Sequence, residues 1–400
     1  MPDQTDERWE LWGPLADRYR TERPRRILAL DGGGIRGVMT LGVLARLERD
    51  LAEATGGGDD FRLCDFFDTI GGTSTGAIIA AGLARRMSVD EITDFYENFG
   101  KIAFSRRKLW MRWQSLYGDG KLANTLKETF GEETNLRPEH LACLLTVVTR
   151  NATTDSAWPV SSNPFAKYND PARSDCNLNI PLWKLVRAST AAPVFFPPEV
   201  IEWDPHDESK SFVFVDGGTT PYNNPAFLFY RMAVAPSYRL CWKKGERDLL
   251  IVSVGTGSAP VLGATVDDPE SNVASAAVNT LSALMAQAAV DQDVNCRVVG
   301  RCSFGGVIDR ELHDLLIVDP SLHDQPLTLD EDLGRHFLYV RYNAELTLNG
   351  LEELGLGNSG IDPDKVQKMD AVDNLDELQE IGAALATKVD LAHLGSFVRG

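Results

Sequence analysis

The chain has 400 residues, of which 43% are hydrophobic and 24% are charged. This composition can bury a large core, either as one large α/β domain or as a domain with embellishments, which excludes disorder as the main state. A net charge of −18 and a pI near 4.8 argue against a protein that binds nucleic-acid polymers, because such proteins neutralise phosphates with clustered Lys and Arg.

Targeting signals and cysteine usage limit the compartment. Residues 1–26 are rich in Asp, Glu and Arg and lack the apolar stretch of a secretory signal peptide. No run reaches the ~18 to 20 apolar residues that a membrane-spanning helix needs. Six scattered cysteines show no CxxC or Cys/His spacing, which predicts reduced, mostly buried thiols and no structural zinc. We therefore expect a cytoplasmic protein whose membrane association is peripheral.

Short apolar, β-branched runs alternate with helical patterns, which predicts a largely parallel sheet covered by helices. The predicted strands are residues 26–30, 66–70, 141–149, 212–215, 249–254 and 337–341. The predicted helices are residues 38–51, 272–290 and 374–389, and Ser88 with Glu91 forms a predicted capping box. Two stretches rich in Pro, Asp, Asn or Ser, residues 151–180 and 259–271, are predicted surface loops.

No internal repeat or low-complexity linker divides the chain. We predict an N-terminal extension over residues 1–25, a catalytic domain over residues 26–345, and a helical tail over residues 346–400 that packs on that domain. A separate C-terminal domain is the alternative.

Ser74 lies between Gly72 and Gly76, after an apolar run and before a stretch of small residues. A strand that turns sharply into a helix strains the residue at the apex, so positions two residues away must be nearly free of side chain. The hydroxyl then lies at a helix N-terminus, which favours developing negative charge. The pattern predicts a nucleophile, although a plain turn of Ser, Thr and Gly is the alternative.

A glycine-rich loop, Asp31 to Gly37, follows the first predicted strand and opens the first helix. Gly32, Gly34 and Gly37 satisfy the G-x-G-x-x-G pattern, so dinucleotide binding is one interpretation. Three consecutive glycines also expose successive backbone N–H groups, which is what an oxyanion hole requires. The loop by itself does not decide between the two.

Asp216 ends a third apolar strand and is followed by Gly217 and Gly218. Ligands of parallel α/β sheets bind outside the carboxyl ends of the strands, where Asp31, Ser74 and Asp216 would all emerge. A turn-forming or capping role is the alternative for Asp216. The three strand ends together predict one site.

These motifs, in this order, resemble those of the patatin-like phospholipases. The resemblance extends through residues 117–122, 187–198 and 250–257, and covers about residues 25 to 260. It implies a three-layer α/β/α fold with a mostly parallel central sheet. It also implies hydrolysis of acyl esters in glycerophospholipids or related lipids through a Ser-Asp dyad, without a metal or other cofactor.

Carried over by motif, Ser74 attacks the acyl carbonyl, and Asp216 takes its proton and later activates water. Arg36 is assigned either to the oxyanion or to the loop, and Asp31 is taken as structural. The backbone N–H groups assigned to the oxyanion are those of Gly32, Gly33 and Gly34.

Several alternatives stay open at this point. A Ser-His-Asp esterase or thioesterase would use a histidine that follows Asp216, with His323 as the best candidate. A nucleotide-binding protein built on the glycine loop would leave Ser74 and Asp216 unexplained. A lipid-binding or regulatory protein on an inactive hydrolase scaffold is the third alternative.

Partners are indicated by one local feature and by a second resemblance. Residues 104–117 form a basic, aromatic-rich island that suits a phospholipid membrane surface, although a half-buried helix is the alternative. Residues 337–343, followed by an acidic tail, are similar to bacterial patatin-like effectors of antiphage defence, which a cyclic dinucleotide activates. This second resemblance assigns no residue to nucleotide binding. Assembly into a homo-oligomer is left open.

Overall fold

The computed structural model describes residues 7–103, 120–193, 195–204, 206–258, 273–308, 334–370 and 372–398. Within these ranges one sheet of nine strands runs in the order β5-β6-β3-β2-β1-β7-β9-β8, and β4 pairs with β3 beside this path. The strands are β1 Arg25–Leu30, β2 Thr69–Thr73, β3 Leu144–Asn151, β4 Ser156–Ser161, β5 Glu199–Glu202, β6 Ser211–Asp216, β7 Leu249–Val254, β8 Arg301–Phe304 and β9 Leu338–Tyr342.

Helices connect and cover these strands. The α-helices of the described residues are α1 Ala16–Arg20, α2 Gly37–Thr55, α3 Leu63–Phe66, α4 Thr75–Ala84, α5 Val89–Ala103, α6 Gly120–Phe130, α7 Leu182–Ser189, α8 Ala226–Val234, α9 Val273–Val299, α10 Leu348–Glu353, α11 Pro363–Val366 and α12 Leu375–Ala386. Short 3-10 helices lie at Glu7–Leu15, Gly34–Arg36, Gly58–Asp60, Pro138–His140, Asn177–Asn179, Glu208–Lys210, Gly217–Thr219, Pro236–Tyr238, Val372–Asn374 and Leu391–Phe397.

The centre of the sheet is parallel and buried on both faces. Strands β3, β2, β1, β7, β9 and β8 pair in parallel, and every residue of β7 is buried. Alternate residues of β1 enter different cores: Leu28 and Leu30 belong to one, and Ile27 and Ala29 to the other. Because strand side chains alternate in direction, these are cores on opposite faces of the sheet. The predicted three-layer α/β/α fold with a mostly parallel sheet is confirmed.

The end of the sheet that carries β6 is antiparallel. Strand β6 pairs antiparallel with both β3 and β5, and β4 is also antiparallel to β3. The expectation that Asp216 emerges from a strand parallel to its neighbours is therefore wrong in direction. Asp216 still lies at the carboxyl end of its strand, as predicted, but β6 is antiparallel to β3.

Most predicted elements occur close to their predicted positions. Strands β1, β3, β6, β7 and β9 lie within three residues of the predicted bounds, and helix α9 extends nine residues beyond residue 290. The capping box is confirmed: the Glu91 N–H donates to Ser88 Oγ at 3.1 Å, and the Ser88 N–H donates to Glu91 Oε2 at 2.8 Å.

The predicted strand over residues 66–70 is wrong in its first half. Residues 63–66 form helix α3 and the strand begins only at Thr69. The Asp65 carboxylate accepts the N–H of Arg62 and so caps this helical turn, which an apolar run by itself does not reveal. Strand β4 lies inside the predicted loop 151–180, and β5 and β8 were not predicted, because four to six residues carry little periodicity. The predicted loop over residues 259–271 lies outside the described residues.

The C-terminal segment contacts the main body through α12. A Cβ placed on Gly42 of α2 would lie 2.9 Å from the backbone of Gly382, and one on Gly382 would lie 2.9 Å from the Met39 Cα. Glycines thus allow α12 and α2 to approach closely. The division of the chain at residues 25 and 345 stays a prediction.

Candidate active site

Ser74 occupies the junction between β2 and α4 in a strained conformation. Its φ is 54° and its ψ is −121°, outside the regions that residues with a side chain normally adopt. The flanking glycines are needed, since a Cβ on Gly72 would lie 2.3 Å from the Gly76 backbone and one on Gly76 would lie 2.3 Å from the Leu30 carbonyl oxygen. The turn therefore has the geometry of a nucleophile elbow.

Asp216 is the hydrogen-bond partner of this serine. The Ser74 hydroxyl donates to Asp216 Oδ2 at 2.5 Å, and the Gly218 N–H donates to Asp216 Oδ1 at 2.6 Å. Both side chains are buried, Ser74 with 8% and Asp216 with 3% of its surface exposed. Burial raises the pKa of the Asp216 carboxyl to about 6, although the hydrogen bonds from Ser74 and Gly218 act in the opposite direction.

Strand β3 brings these two residues together. Thr73, the residue before the nucleophile candidate, pairs with Val148, and Asp216 pairs with Thr149. Strand β2 runs parallel to β3 and ends there, while β6 runs antiparallel to β3 and ends from the other direction. Thr73 and Asp216 therefore lie opposite consecutive residues of β3, and Ser74 meets Asp216 although the two are 142 positions apart in sequence.

The glycine loop lies directly against Ser74. A Cβ on Gly32 would lie 3.2 Å from the Ser74 Cβ. The Gly32 N–H donates to the Asn223 carbonyl at 3.1 Å, and the Ile35 N–H donates to the Met369 carbonyl at 2.9 Å. Within the described ranges the N–H groups of Gly33 and Gly34 have no acceptor. Of the three glycines predicted as oxyanion donors, Gly32 thus has its N–H bound to Asn223, whereas the other two N–H groups are without an acceptor in these ranges.

Neighbouring side chains hold the loop carbonyls and so orient these N–H groups. The Gly32 carbonyl accepts from Thr256 Oγ1 at 2.8 Å and from Asn223 Nδ2 at 3.3 Å. In a trans peptide the N–H of one residue points away from the carbonyl of the residue before it. Holding the Gly32 carbonyl therefore aims the Gly33 N–H in the opposite direction.

Arg36 is buried and contacts the loop itself. Its Nε donates to the Gly33 carbonyl at 3.4 Å, and burial lowers the pKa of its guanidinium to about 10. Arg36 was predicted to act either on the oxyanion or on the loop. The contact observed is with the loop, and by holding the Gly33 carbonyl it orients the Gly34 N–H. The Gly34 carbonyl accepts from Thr75 Oγ1 at 2.7 Å and from the Tyr96 hydroxyl.

The Asp31 carboxylate is bound by Arg341. Its two carboxylate oxygens accept from Arg341 Nη1 at 2.8 Å and Nη2 at 2.5 Å, and both residues are buried. Arg341 Nη1 also donates to Ser253 Oγ at 2.6 Å. Because a bidentate guanidinium occupies its carboxylate, Asp31 anchors the loop and is not available as a base.

The remaining motif glycines allow close backbone contacts. A Cβ on Gly37 would lie 2.3 Å from Thr75 Cγ2, and one on Gly217 would lie 2.2 Å from the Val148 carbonyl oxygen. At Gly218 a Cβ would meet Met285 Cε at 2.6 Å. These positions explain the spacing of the motifs, because each glycine lies where a larger residue would displace part of the site.

Two histidines that follow Asp216, His336 and His393, are engaged away from the dyad. His336 Nδ1 is hydrogen-bonded to the Tyr230 hydroxyl at 2.5 Å. His393 is stacked on Phe304 with ring centroids 4.3 Å apart. In the part of the chain that the structure describes, the carboxylate of Asp216 accepts from Ser74 and Gly218. His323, the predicted triad candidate, lies outside the described residues.

Four residues at the site were not identified from the sequence. Ser189 Oγ accepts the Ser74 N–H at 2.9 Å, and the Ala191 carbonyl accepts the Asp216 N–H at 2.9 Å. Asn223 and Thr256, which hold Gly32, were not assigned either. These four residues fall in or just beyond segments quoted for the family resemblance, and that position was the one signal that could have selected them.

Two further expectations concern membranes and metals. None of the helices in the described ranges combines the length and apolarity that crossing a membrane demands. Those same ranges contain no group of three or more His, Cys, Asp or Glu side chains arranged to hold a metal ion. The basic island over residues 104–117 lies outside the described residues.

A family model described as "Patatin-like phospholipase" matches residues 28–230. The matched residues contain the glycine loop, Ser74 and Asp216 and make up about half of the chain. The chain therefore belongs to the patatin-like phospholipase family, as its motifs predicted.

Curated relatives are identical to this chain at about a third or fewer of the aligned positions. The "cGAMP-activated phospholipase" of Vibrio cholerae is 31% identical over 215 residues, 51% of this chain and 56% of the relative. The protein of the same name from Escherichia coli is 27% identical over 248 residues, 60% and 65% of the two chains. "Patatin-T5" from Solanum tuberosum is 29% identical over 252 residues, 58% and 60%. The matches thus span between 56% and 65% of these relatives' lengths.

A solved structure is also similar to this chain. It is that of VipD from Legionella pneumophila, with 15% sequence identity and a TM-score of 0.35, over 90% of this chain and 67% of that one. At this TM-score we draw no conclusion from the similarity.

Proposed function

We propose that the protein is a lipid acyl hydrolase of the phospholipase A type, which cleaves acyl esters of membrane phospholipids through Ser74 and Asp216. The observation that carries this proposal is the 2.5 Å hydrogen bond from a serine at a strained elbow to a buried carboxylate. Family membership supports the same chemistry.

In the first half of the reaction Ser74 Oγ attacks the ester carbonyl carbon and its proton passes to Asp216 Oδ2. The tetrahedral intermediate collapses to an acyl-enzyme, and the protonated Asp216 returns that proton to the departing alcohol. A carboxylate with the ordinary pKa of an Asp side chain would accept this proton poorly. The pKa of about 6 that burial produces makes Asp216 a better base while leaving it ionised at neutral pH.

The intermediate carries its negative charge on the former carbonyl oxygen. We assign the stabilising donors to the N–H groups of Gly33 and Gly34, which have no acceptor among the described residues. Loss of one such donor typically costs about 2.7 to 4 kcal/mol of transition-state stabilisation.

In the second half water attacks the acyl-enzyme and gives its proton to Asp216. Collapse of the second intermediate breaks the bond to Ser74 Oγ, which regains a proton from Asp216, and releases the free fatty acid. The lysophospholipid is the alcohol that departed in the first half. The Gly218 N–H keeps Asp216 Oδ1 occupied throughout, so that Oδ2 faces the serine.

Control by a cyclic dinucleotide is part of the proposal. Two similar bacterial proteins carry the name "cGAMP-activated phospholipase", which supports an activator of that class. The resemblance of residues 337–343 and the acidic tail to antiphage effectors extends the proposal to a role in degrading the cell's own phospholipids. A cytoplasmic enzyme that meets the membrane at its surface would suit this role. Homo-oligomer formation stays a prediction.

The proposal is tested by measuring release of fatty acid from phospholipid vesicles, with and without a panel of cyclic dinucleotides. We expect hydrolysis by the wild-type protein, increased by one of these nucleotides, and none by the Ser74→Ala variant. Equal release by both proteins under all conditions would refute the assignment.

The choice between dyad and triad needs two more variants. Asp216→Asn should abolish hydrolysis, because the amide cannot accept the serine proton, whereas His323→Ala should leave most of it. The opposite result would favour the esterase or thioesterase triad. Saturable binding of NAD or NADP by the purified protein would instead favour the nucleotide-binding alternative for the glycine loop.

A further inference from the structure

We propose that Ser189 is a positioning residue that fixes the backbone of the nucleophile, and that the short segment from Ser189 to Ala191 sets the spacing between nucleophile and base. This inference rests on the roles of Ser74 and Asp216 in the proposed function. It goes beyond them because Ser189 takes no part in the bonds that form and break.

The hydroxyl of Ser189 bridges two elements of the site. Its oxygen accepts the Ser74 N–H at 2.9 Å, and its proton is donated to the Val148 carbonyl at 2.6 Å. The side chain is fully buried. Because the single hydroxyl proton is directed to Val148, a lone pair of the oxygen is left facing the Ser74 amide.

Ser74 needs such an acceptor for a reason found in its own backbone. The β2–β3 register ends at Thr73 and Val148, and at Ser74 the chain turns into α4 with a positive φ. The N–H of a residue at a helix start has no partner within that helix. The Ser189 hydroxyl therefore links the Ser74 N–H to the Val148 carbonyl of β3, immediately after the last residue at which β2 and β3 pair directly.

The same segment holds the base. The Asp216 N–H donates to the Ala191 carbonyl at 2.9 Å, two residues after Ser189. The backbone amides of both dyad residues are thus bound by one three-residue segment at the end of α7. The short Ser74–Asp216 hydrogen bond depends on the distance between their backbones, which this segment sets.

The Ser189→Ala variant removes the bridge while adding no bulk. It leaves the buried Ser74 N–H without an acceptor and lets the elbow relax, so the nucleophile loses its alignment with Asp216 and with the substrate carbonyl. Misplacement of a catalytic group by such a relaxation of the backbone lowers kcat by about 10- to 100-fold. We expect that loss with KM unchanged, because Ser189 does not face the substrate.

A matched control comes from another buried serine that binds a backbone N–H. Ser162 Oγ accepts the Leu145 N–H at 2.9 Å, as Ser189 Oγ accepts that of Ser74, but Leu145 lies in β3 three residues before Val148. Ser162→Ala should lower the melting temperature to a similar degree as Ser189→Ala. It should leave kcat near the wild-type value.

The experiment measures kcat, KM, melting temperature and the rate of Ser74 labelling by a fluorophosphonate. The expected result is a parallel fall of kcat and labelling rate in Ser189→Ala only, with recovery of both in Ser189→Thr, which keeps the hydroxyl. A kcat for Ser189→Ala as high as that of Ser162→Ala, or a Ser189→Thr variant no faster than Ser189→Ala, would overturn the inference.

The failure of this inference differs from failure of the proposed function. If wild type and Ser74→Ala release fatty acid equally, the dyad itself is wrong. If Ser74→Ala is inactive while Ser189→Ala retains full kcat, the dyad stands and Ser189 is a structural residue only. Should Ser189→Ala not fold, the Ser189→Thr variant decides, because a folded Thr variant with a 10-fold lower kcat contradicts the role of the hydroxyl.

Discussion

Replacing Asp216 with Asn should make the protein more stable while it abolishes hydrolysis. The carboxyl is buried, and its pKa is about 6 in the folded protein against 3.8 for the ordinary group. At neutral pH the folded state must therefore hold a carboxylate that the unfolded chain ionises more easily. This difference corresponds to a destabilisation of roughly 3 kcal/mol.

The pH dependence of this cost has a definite sign. Below pH 3.8 the carboxyl is protonated in both states and the cost is absent. The cost grows as the pH rises, because the unfolded chain ionises first, and it is complete above about pH 6. Asn carries no charge, and its carbonyl can still accept the Gly218 N–H. We expect Asp216→Asn to exceed wild type by up to roughly 3 kcal/mol at pH 8 and by about half of that at pH 5.

Urea unfolding of both proteins between pH 5 and pH 8 measures this difference. Asp204→Asn is the matched control, since the Ser174 hydroxyl and the His206 N–H hold the pKa of Asp204 below its ordinary value. That variant should be no more stable than wild type, and its difference from wild type should stay nearly constant between pH 5 and pH 8, because the Asp204 carboxyl is ionised in both the folded and the unfolded state over this range. Burial does not raise the pKa of Asp216 if Asp216→Asn is less stable than wild type, or if the stability advantage of the variant does not grow with pH.

Three further outcomes are expected. The profile of kcat/KM against pH should fall about tenfold per pH unit below about 6, the pKa of Asp216, and a flat acid limb would exclude it as the base. Thr256→Val should lower kcat about tenfold with KM unchanged, since it removes the shorter of the two hydrogen bonds to the Gly32 carbonyl and so loosens the orientation of the Gly33 N–H, and Thr256→Ser should restore kcat. Gly76→Ala should lower the free energy of unfolding by about 3 kcal/mol or more, because the added Cβ would lie 2.3 Å from the Leu30 carbonyl oxygen. A melting temperature equal to that of wild type would contradict this.

Much of the fold could be predicted because the responsible signals are local. Strand β7 is an unbroken apolar run and was predicted to the residue, as expected for a strand buried on both faces. The capping box at Ser88 was recognisable because its two partners are three residues apart. Strand β2 was misplaced for the opposite reason: the apolar residues before it form a helical turn, and periodicity cannot distinguish the two over four residues.

The site was predictable to the extent that its chemistry demands particular residue types. The elbow needs Gly72 and Gly76, and the oxyanion loop needs consecutive glycines, so both remain visible in the sequence. Positioning residues leave no such mark. Ser189 and Thr256 act through single hydrogen bonds to residues 115 and 224 positions away, and many buried Ser and Thr side chains would look the same in sequence.

The sequence by itself determined which groups could do chemistry: a serine at a glycine-flanked turn, a loop of free amides and an aspartate after an apolar strand. Only the tertiary structure decided how they meet. Strand β6 runs antiparallel to β3, so that Asp216 lies opposite Thr149 while the elbow follows the pair of Thr73 with Val148. Strand direction depends on which neighbour offers unpaired backbone groups, a property of the assembled sheet that no short run of residues contains.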